Sequence, residues 1–236
     1  MLLKSYHWLQ HRAGGTLCAL GNCIGNYGAI EMKPMLVGAV LACAAFGAAA
    51  DSYREEITPA DAMQVVAFWE GAGPALWFAK NDDFDQRFRE RFFSLHEAAA
   101  RGDLDSWNAT PEGALALLIL LDQFPRNAFR WTSRMYATDA AARRLAEAAI
   151  AAGHDRFVAP DLQKFFYLPF GHSEALVDQD RAVELCARLG GRDLAQAQHH
   201  RDIVRRFGRF PHRNALLGRS TTKEEQEYLA HGGYTG

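Results

Sequence analysis

The sequence predicts an all-α protein, with about eight to ten helices forming one domain over residues 58–236. Three observations carry that expectation. Alanine, leucine and arginine dominate while β-branched residues are sparse after residue 60, a composition that favours helix over sheet. Apolar residues recur at helical spacing, as in Phe84, Phe88, Phe92 and Leu95. Helix-start signals, a Thr followed by Pro or Asp, fall at Thr58, Thr110 and Thr138. No segment alternates as a strand does, and no unit repeats at a fixed period.

Thr58-Pro59-Ala60-Asp61 opens the first helix, which is expected to run to about Glu70 and stop at Gly71-Ala72-Gly73. The second begins near Asp82 and ends at Gly102. Thr110-Pro111 opens a third, whose Ala114–Leu121 stretch is apolar on every side. A helix apolar all round is buried all round, so this one is expected at the centre. Thr138-Asp139 starts the fourth, which closes at Gly153. Further helices are expected at 160–167, 173–189, 193–207 and 222–230, the last with a capping box, Thr221-x-x-Glu224.

The first fifty residues read differently. Met35 to Ala50 is a charge-free apolar run, shorter than the ~20 residues a spanning helix needs. Met32-Lys33 supplies a positive start, and Ala48-Ala49-Ala50 a small-residue cleavage pattern. Residues 1–50 are therefore expected to be a signal-like or non-native extension, with no integral membrane segment in the mature domain. Periplasmic or secreted placement follows if 32–50 is a signal peptide, and cytoplasmic placement if it is an attached apolar helix.

The chain's formal net charge is −2 and its pI about 6.5, which argues against a general nucleic-acid binder. Three of the four cysteines, Cys18, Cys23 and Cys43, lie in the first fifty residues. That leaves Cys186 alone in the body, with no disulfide framework and no cysteine-based zinc site. There is no phosphate loop, dinucleotide fingerprint or Gly-x-Ser-x-Gly elbow, so the familiar kinase, dehydrogenase and hydrolase routes have no support and the cofactor is left unknown.

Against that neutral background, His199–Arg219 holds six arginines, three histidines and one acid, Asp202. Such an excess calls for an anionic partner, either carboxylates of the same fold or a ligand. Two acids are candidates. Asp122 is expected at the C-terminal end of the buried helix, where the dipole and desolvation both oppose its charge, with Arg126 nearest in sequence. Glu174 closes an expected loop, Tyr167–Glu174, in which His172 is a candidate general base and Ser173 a helix cap. On a helical wheel, His200 falls inside the apolar arc of its helix and His199 just outside it. An adjacent His pair on a regular helix cannot hold one metal, so no metal site is assigned. The candidate catalytic residues are thus His172, Glu174, His200 and Asp122. The candidate ligand-binding residues are Arg126, Arg205, Arg209, His212, Arg213 and Tyr167, for arginine's planar fork suits a carboxylate or phosphate.

Several segments together, Phe68-Trp69, Trp77-Phe78, Phe84-Asp85, Trp107 with Thr110-Pro111, Leu120–Asn127, Thr138-Asp139, Tyr167–Glu174 and Arg206–Thr221, resemble a bacterial family, domain of unknown function 924. The resemblance covers about residues 62–231. It implies an all-helical, tetratricopeptide-like fold and carries no established activity. Two function classes stay open. One is a small-molecule hydrolase acting on an ester, lactone or amide, whose partner is a small anionic or carbonyl-containing ligand. The other is a non-enzymatic tetratricopeptide-like binding module for a peptide or anionic ligand.

Overall fold

A computed structural model of the chain describes residues 60–236. The expectations placed on residues 1–59, including the signal-like segment and the Thr58-Pro59 helix start, lie outside them. Among the described residues there is no strand, and no helix is long and apolar enough to cross a membrane.

The described residues open with α1 (Ala60–Ala72), the short α2 (Pro74–Trp77) and α3 (Asp82–Ala100), which Asn81 caps by accepting from the Phe84 amide. Then comes α4, made of Pro111–Leu118, a π-helical turn Ile119–Gln123 and a last stretch Phe124–Ala128. The remainder is α5 (Asp139–Ala151), α6 (Lys164–Gly171), α7 (Leu176–Cys186), α8 (Gly191–Phe207) and α9 (Lys223–Ala230), with 3-10 turns between several of them. Helix lengths from 4 to 19 residues add nothing to the tetratricopeptide likeness, while the all-helical expectation holds.

As its composition requires, α4 is the centre. Ala114 to Leu121 are all buried, and α1, α3, α5 and α6 pack around that helix. Gly113 permits the close approach at its start, for a Cβ there would sit 2.1 Å from the Trp107 carbonyl oxygen. The stripe Phe84, Phe88, Phe92 and His96 on α3 meets Phe68, Trp69 and Phe124 in stacked and edge-on contacts. Two pairs of segments singled out in the sequence are joined directly: the Trp77 indole donates to the Trp69 carbonyl, and Asn127 donates to Asp85.

Some details depart from expectation. The last capping box is Thr222 with Glu225, one residue later than expected. Thr138 does not cap α5, because its hydroxyl donates to the Leu121 carbonyl instead, at 2.6 Å. Tyr167–Phe170 is helical, within α6, and His172 is the residue that ends that helix. Asp122 lies inside the π turn and the helix continues beyond it. The turn follows from Pro125, which has no N–H for the Leu121 carbonyl, while the Phe124 amide reaches back to Ile119. Two carbonyls are thereby freed from the ladder. Thr138 takes that of Leu121 and the His96 Nδ1 that of Leu120, at 2.9 Å.

Candidate functional site

The π turn of α4 and the end of α6 converge on Asp122 and His172. Asp122 is 1% exposed, and its Oδ1 lies 2.7 Å from the His172 Nδ1. Its Oδ2 accepts from the Gln123 amide at 2.6 Å. Arg126, one helical turn on, stands 3.2 Å from Oδ1 and also donates to the Asp122 carbonyl. Burial works to raise the Asp122 pKa, but the charges of Arg126 and His172 outweigh it and bring the pKa to about 2. An ionised carboxylate only accepts, so the His172 Nδ1 carries the proton. Burial, then the Arg126 charge, lowers the His172 pKa from its ordinary value, against the pull of Asp122. Its Nε2 makes no hydrogen bond among the described residues and is not sealed from solvent.

The second layer comes from the loop before α5 and from the basic segment. Arg126 makes a two-pronged pair with Asp139, at 2.9 and 3.1 Å. Arg213 donates to the His172 carbonyl at 3.0 Å and lies 3.8 Å from Asp139. Its guanidinium carbon stands 4.6 Å from the Tyr136 ring centre and 4.4 Å from that of Phe210. Burial, then the Arg126 charge, lowers the Arg213 pKa. Burial also raises the Tyr136 pKa, against the pull of Arg213 and Arg126.

The three polar segments thus meet in space, but not through the expected pairs. Neither Asp122 nor Glu174 is bridged by Arg205, Arg206, Arg209 or Arg213. Glu174 takes both prongs of Arg219, at 2.6 and 3.0 Å, and the Phe210 amide at 2.8 Å. Arg209 turns to Glu225 and Arg206 to Glu224, while Arg205 pairs with Asp202 on the outer face of α8. The reason is proximity along the chain: α9 and its capping turn supply acids close to the basic segment. Tyr167 is directed elsewhere too, its hydroxyl donating to Asp155 at 2.8 Å. Ser173 is also committed, donating to Asp178 and accepting from the Ala175 amide.

The histidine register holds. His200 is buried and His199 exposed. The His200 Nε2 meets the Gln196 amide at 2.7 Å, and its ring packs on Phe210 and Tyr234. Burial, with His172 adding, drives its pKa to about 3, and burial with Arg213 drives that of His212 to about 4. Both rings are neutral. No group of three or more His, Cys, Asp or Glu side chains is placed to hold a metal ion among the described residues. A groove of about 350 Å³ lies by Arg206, Tyr228 and His231, and one of about 480 Å³ by Arg89 and Phe93. Neither is lined by the His172–Asp122 cluster.

Sequence reasoning missed Asp139, Tyr136 and Tyr234. Asp139 was read only as a first-turn acid, although Arg126 lies on the preceding helix. The two tyrosines carry no signal in one sequence, since each is brought in by a turn.

The described residues form an all-helical domain with a buried histidine–carboxylate pair beside Arg126 and Arg213. The chain belongs to the DUF924 family, described as bacterial protein of unknown function, whose profile matches residues 65–233. It is similar to a solved protein of unknown function from Agrobacterium tumefaciens. The two share 55% identity with a TM-score of 0.72, over 73% of this chain and 98% of the other. None of the curated proteins matches the chain.

Proposed function

We propose that the chain is a small-molecule hydrolase in which His172 is the general base. The observation that carries this reading is the 2.7 Å His172–Asp122 contact, which leaves Nε2 unengaged. A neutral imidazole fixed as the Nδ1–H tautomer presents Nε2 as a base, and a buried carboxylate stabilises the imidazolium that forms. Ser173 has its hydroxyl committed, so the nucleophile in this reading is water. Nε2 takes a proton from water as its oxygen bonds to the carbonyl carbon of an ester, lactone or amide. The carbonyl electron pair moves to oxygen, where Arg213 or Arg126 offsets the charge. On collapse the bond to the leaving group breaks, and the imidazolium returns the proton to it.

In this reading His200, His212 and Glu174 shape the wall, whereas Arg205, Arg209 and Tyr167 support neighbouring structure. The test is turnover of a broad panel of activated esters and lactones by the parent and by His172→Gln. Turnover that disappears in the folded variant supports the hydrolase. No turnover by the parent, alongside micromolar binding of a peptide, favours the binding module.

A further inference from the structure

All six arginines of the basic segment pair with carboxylates, yet not equally. Arg201, Arg205, Arg206, Arg209 and Arg219 reach theirs within 3.5 Å. Arg213 is the most buried of them, with a side chain 8% exposed, and its carboxylate lies at 3.8 Å. The pairing is loosest where burial makes an unmatched charge most costly.

The edge of the guanidinium matters more than the distance. Nη1 of Arg213 is used by the His172 carbonyl. Its Nε is sealed from solvent with no acceptor, and its Nη2 makes no hydrogen bond among the described residues. Nε–H and Nη2–H project from the same side of the planar group, the fork that matches two carboxylate oxygens. The chain uses this very edge elsewhere. Arg209 sets Nε and Nη2 on the two oxygens of Glu225 at 2.6 and 2.9 Å, and Arg130 sets them on the two oxygens of Asp85. Beside Arg213 no carboxylate of the described residues takes that edge. A buried donor left without an acceptor is destabilising, and more so when it is charged.

We propose that the Nε/Nη2 edge of Arg213 recognises the carboxylate of a small carboxylic-acid ligand, with Tyr136 and Phe210 positioning the guanidinium. The inference rests on the hydrolase reading for one point only, that the ligand's scissile carbonyl lies beside His172. The substrate class is then a carboxylic acid bearing an ester, lactone or amide within a few bonds of its carboxylate. A singly charged carboxylate is favoured over a doubly charged anion, because Asp139 and Glu174 stand close enough to act on Arg213 and would repel a second charge. Nη2 is the open end of the fork, so the carboxylate engages it first and completes the pair at Nε as the surrounding rings part.

The test is calorimetric titration of the full chain at pH 8 and constant ionic strength with acetate, propionate and inorganic phosphate. Arginine Nε–H resonances are followed by NMR in parallel. Propionate and acetate are expected to bind and to move the Arg213 Nε–H signal, with phosphate at least about tenfold weaker. Arg213→Lys keeps the charge but not the fork, and is expected to weaken carboxylate binding at least about tenfold. If that variant does not fold, the Nε–H signal of the parent decides alone. An unmoved signal at saturation, equal phosphate affinity, no carboxylate binding, or carboxylate binding unchanged in folded Arg213→Lys overturns the proposal. The hydrolase reading fails separately: a parent that binds carboxylates through Arg213 but turns over no carboxylate-bearing ester or lactone sinks the chemistry and keeps the site.

Discussion

His172 and Asp122 are 50 residues apart in the chain, and Nδ1 of the one lies 2.7 Å from Oδ1 of the other. The contact closes because a π turn aims Asp122 toward the end of α6, where His172 is the residue that caps the helix. Gln123 on the same turn and Arg126 one turn on also engage its carboxylate oxygens. A charge this deep is tolerated only because it is paired and hydrogen-bonded.

Asp122→Ala leaves Arg126 with Asp139 alone and frees the His172 Nδ1–H. Removing one partner of a buried ion pair is expected to cost about 3–5 kcal/mol, read from urea unfolding. The parent should also lose stability in acid. With the folded pKa at about 2, below the unfolded value of 3.8, the contribution is present above pH 4 and lost as pH falls toward 2. In Asp122→Asn that acid limb should shrink.

The freed carbonyls of α4 give a second expectation. Thr138→Val leaves the Leu121 carbonyl buried without a donor, at a cost of about 1–3 kcal/mol. Pro125→Ala supplies an amide for that carbonyl, so the same valine substitution should cost less in the Pro125→Ala background. Equal cost in both, measured as a double-mutant cycle, would sever the link drawn between Pro125 and the π turn.

Much of this was legible in the sequence. The apolar Ala114–Leu121 run gave the central helix, and the wheel put His200 inside and His199 outside, because period and burial are local properties of a helix. Partner choice was not legible. Arg209 and Arg206 take Glu225 and Glu224 of α9, and Glu174 takes Arg219. Charge counting named the groups that need partners, but chain direction after Pro211 decides which acid is in reach. The π turn escaped because its cause, one proline inside an otherwise regular helix, reads as a helix end.

Glu174 is expected to matter more for stability than for turnover. Both its oxygens are taken, by Arg219 and the Phe210 amide. Glu174→Gln should cost about 2 kcal/mol, within the range for hydrogen bonds to charged groups, and Arg219→Gln a similar amount, with the double variant less than additive. Under the hydrolase proposal, kcat of folded Glu174→Gln should stay within about threefold of the parent, a ΔΔG‡ below 1 kcal/mol. A larger loss would give Glu174 a part in the chemistry.

If His172 is the base, the acid limb of kcat/KM lies below pH 6.5, since burial and the Arg126 charge lower its pKa. Asp122 opposes that lowering. Asp122→Asn should therefore shift the limb to still lower pH while reducing the rate. A limb that moves upward would mean the titrating group is not the ring beside Asp122.

The most direct measurement is the tautomer of His172, read from long-range 15N–1H NMR couplings at pH 7. A neutral ring protonated on Nδ1 is expected, the less common tautomer in water, converting to another state in Asp122→Asn. A ring protonated on Nε2 alone would contradict the pairing, and one protonated on both nitrogens at pH 7 would keep the pairing but remove the base from the site.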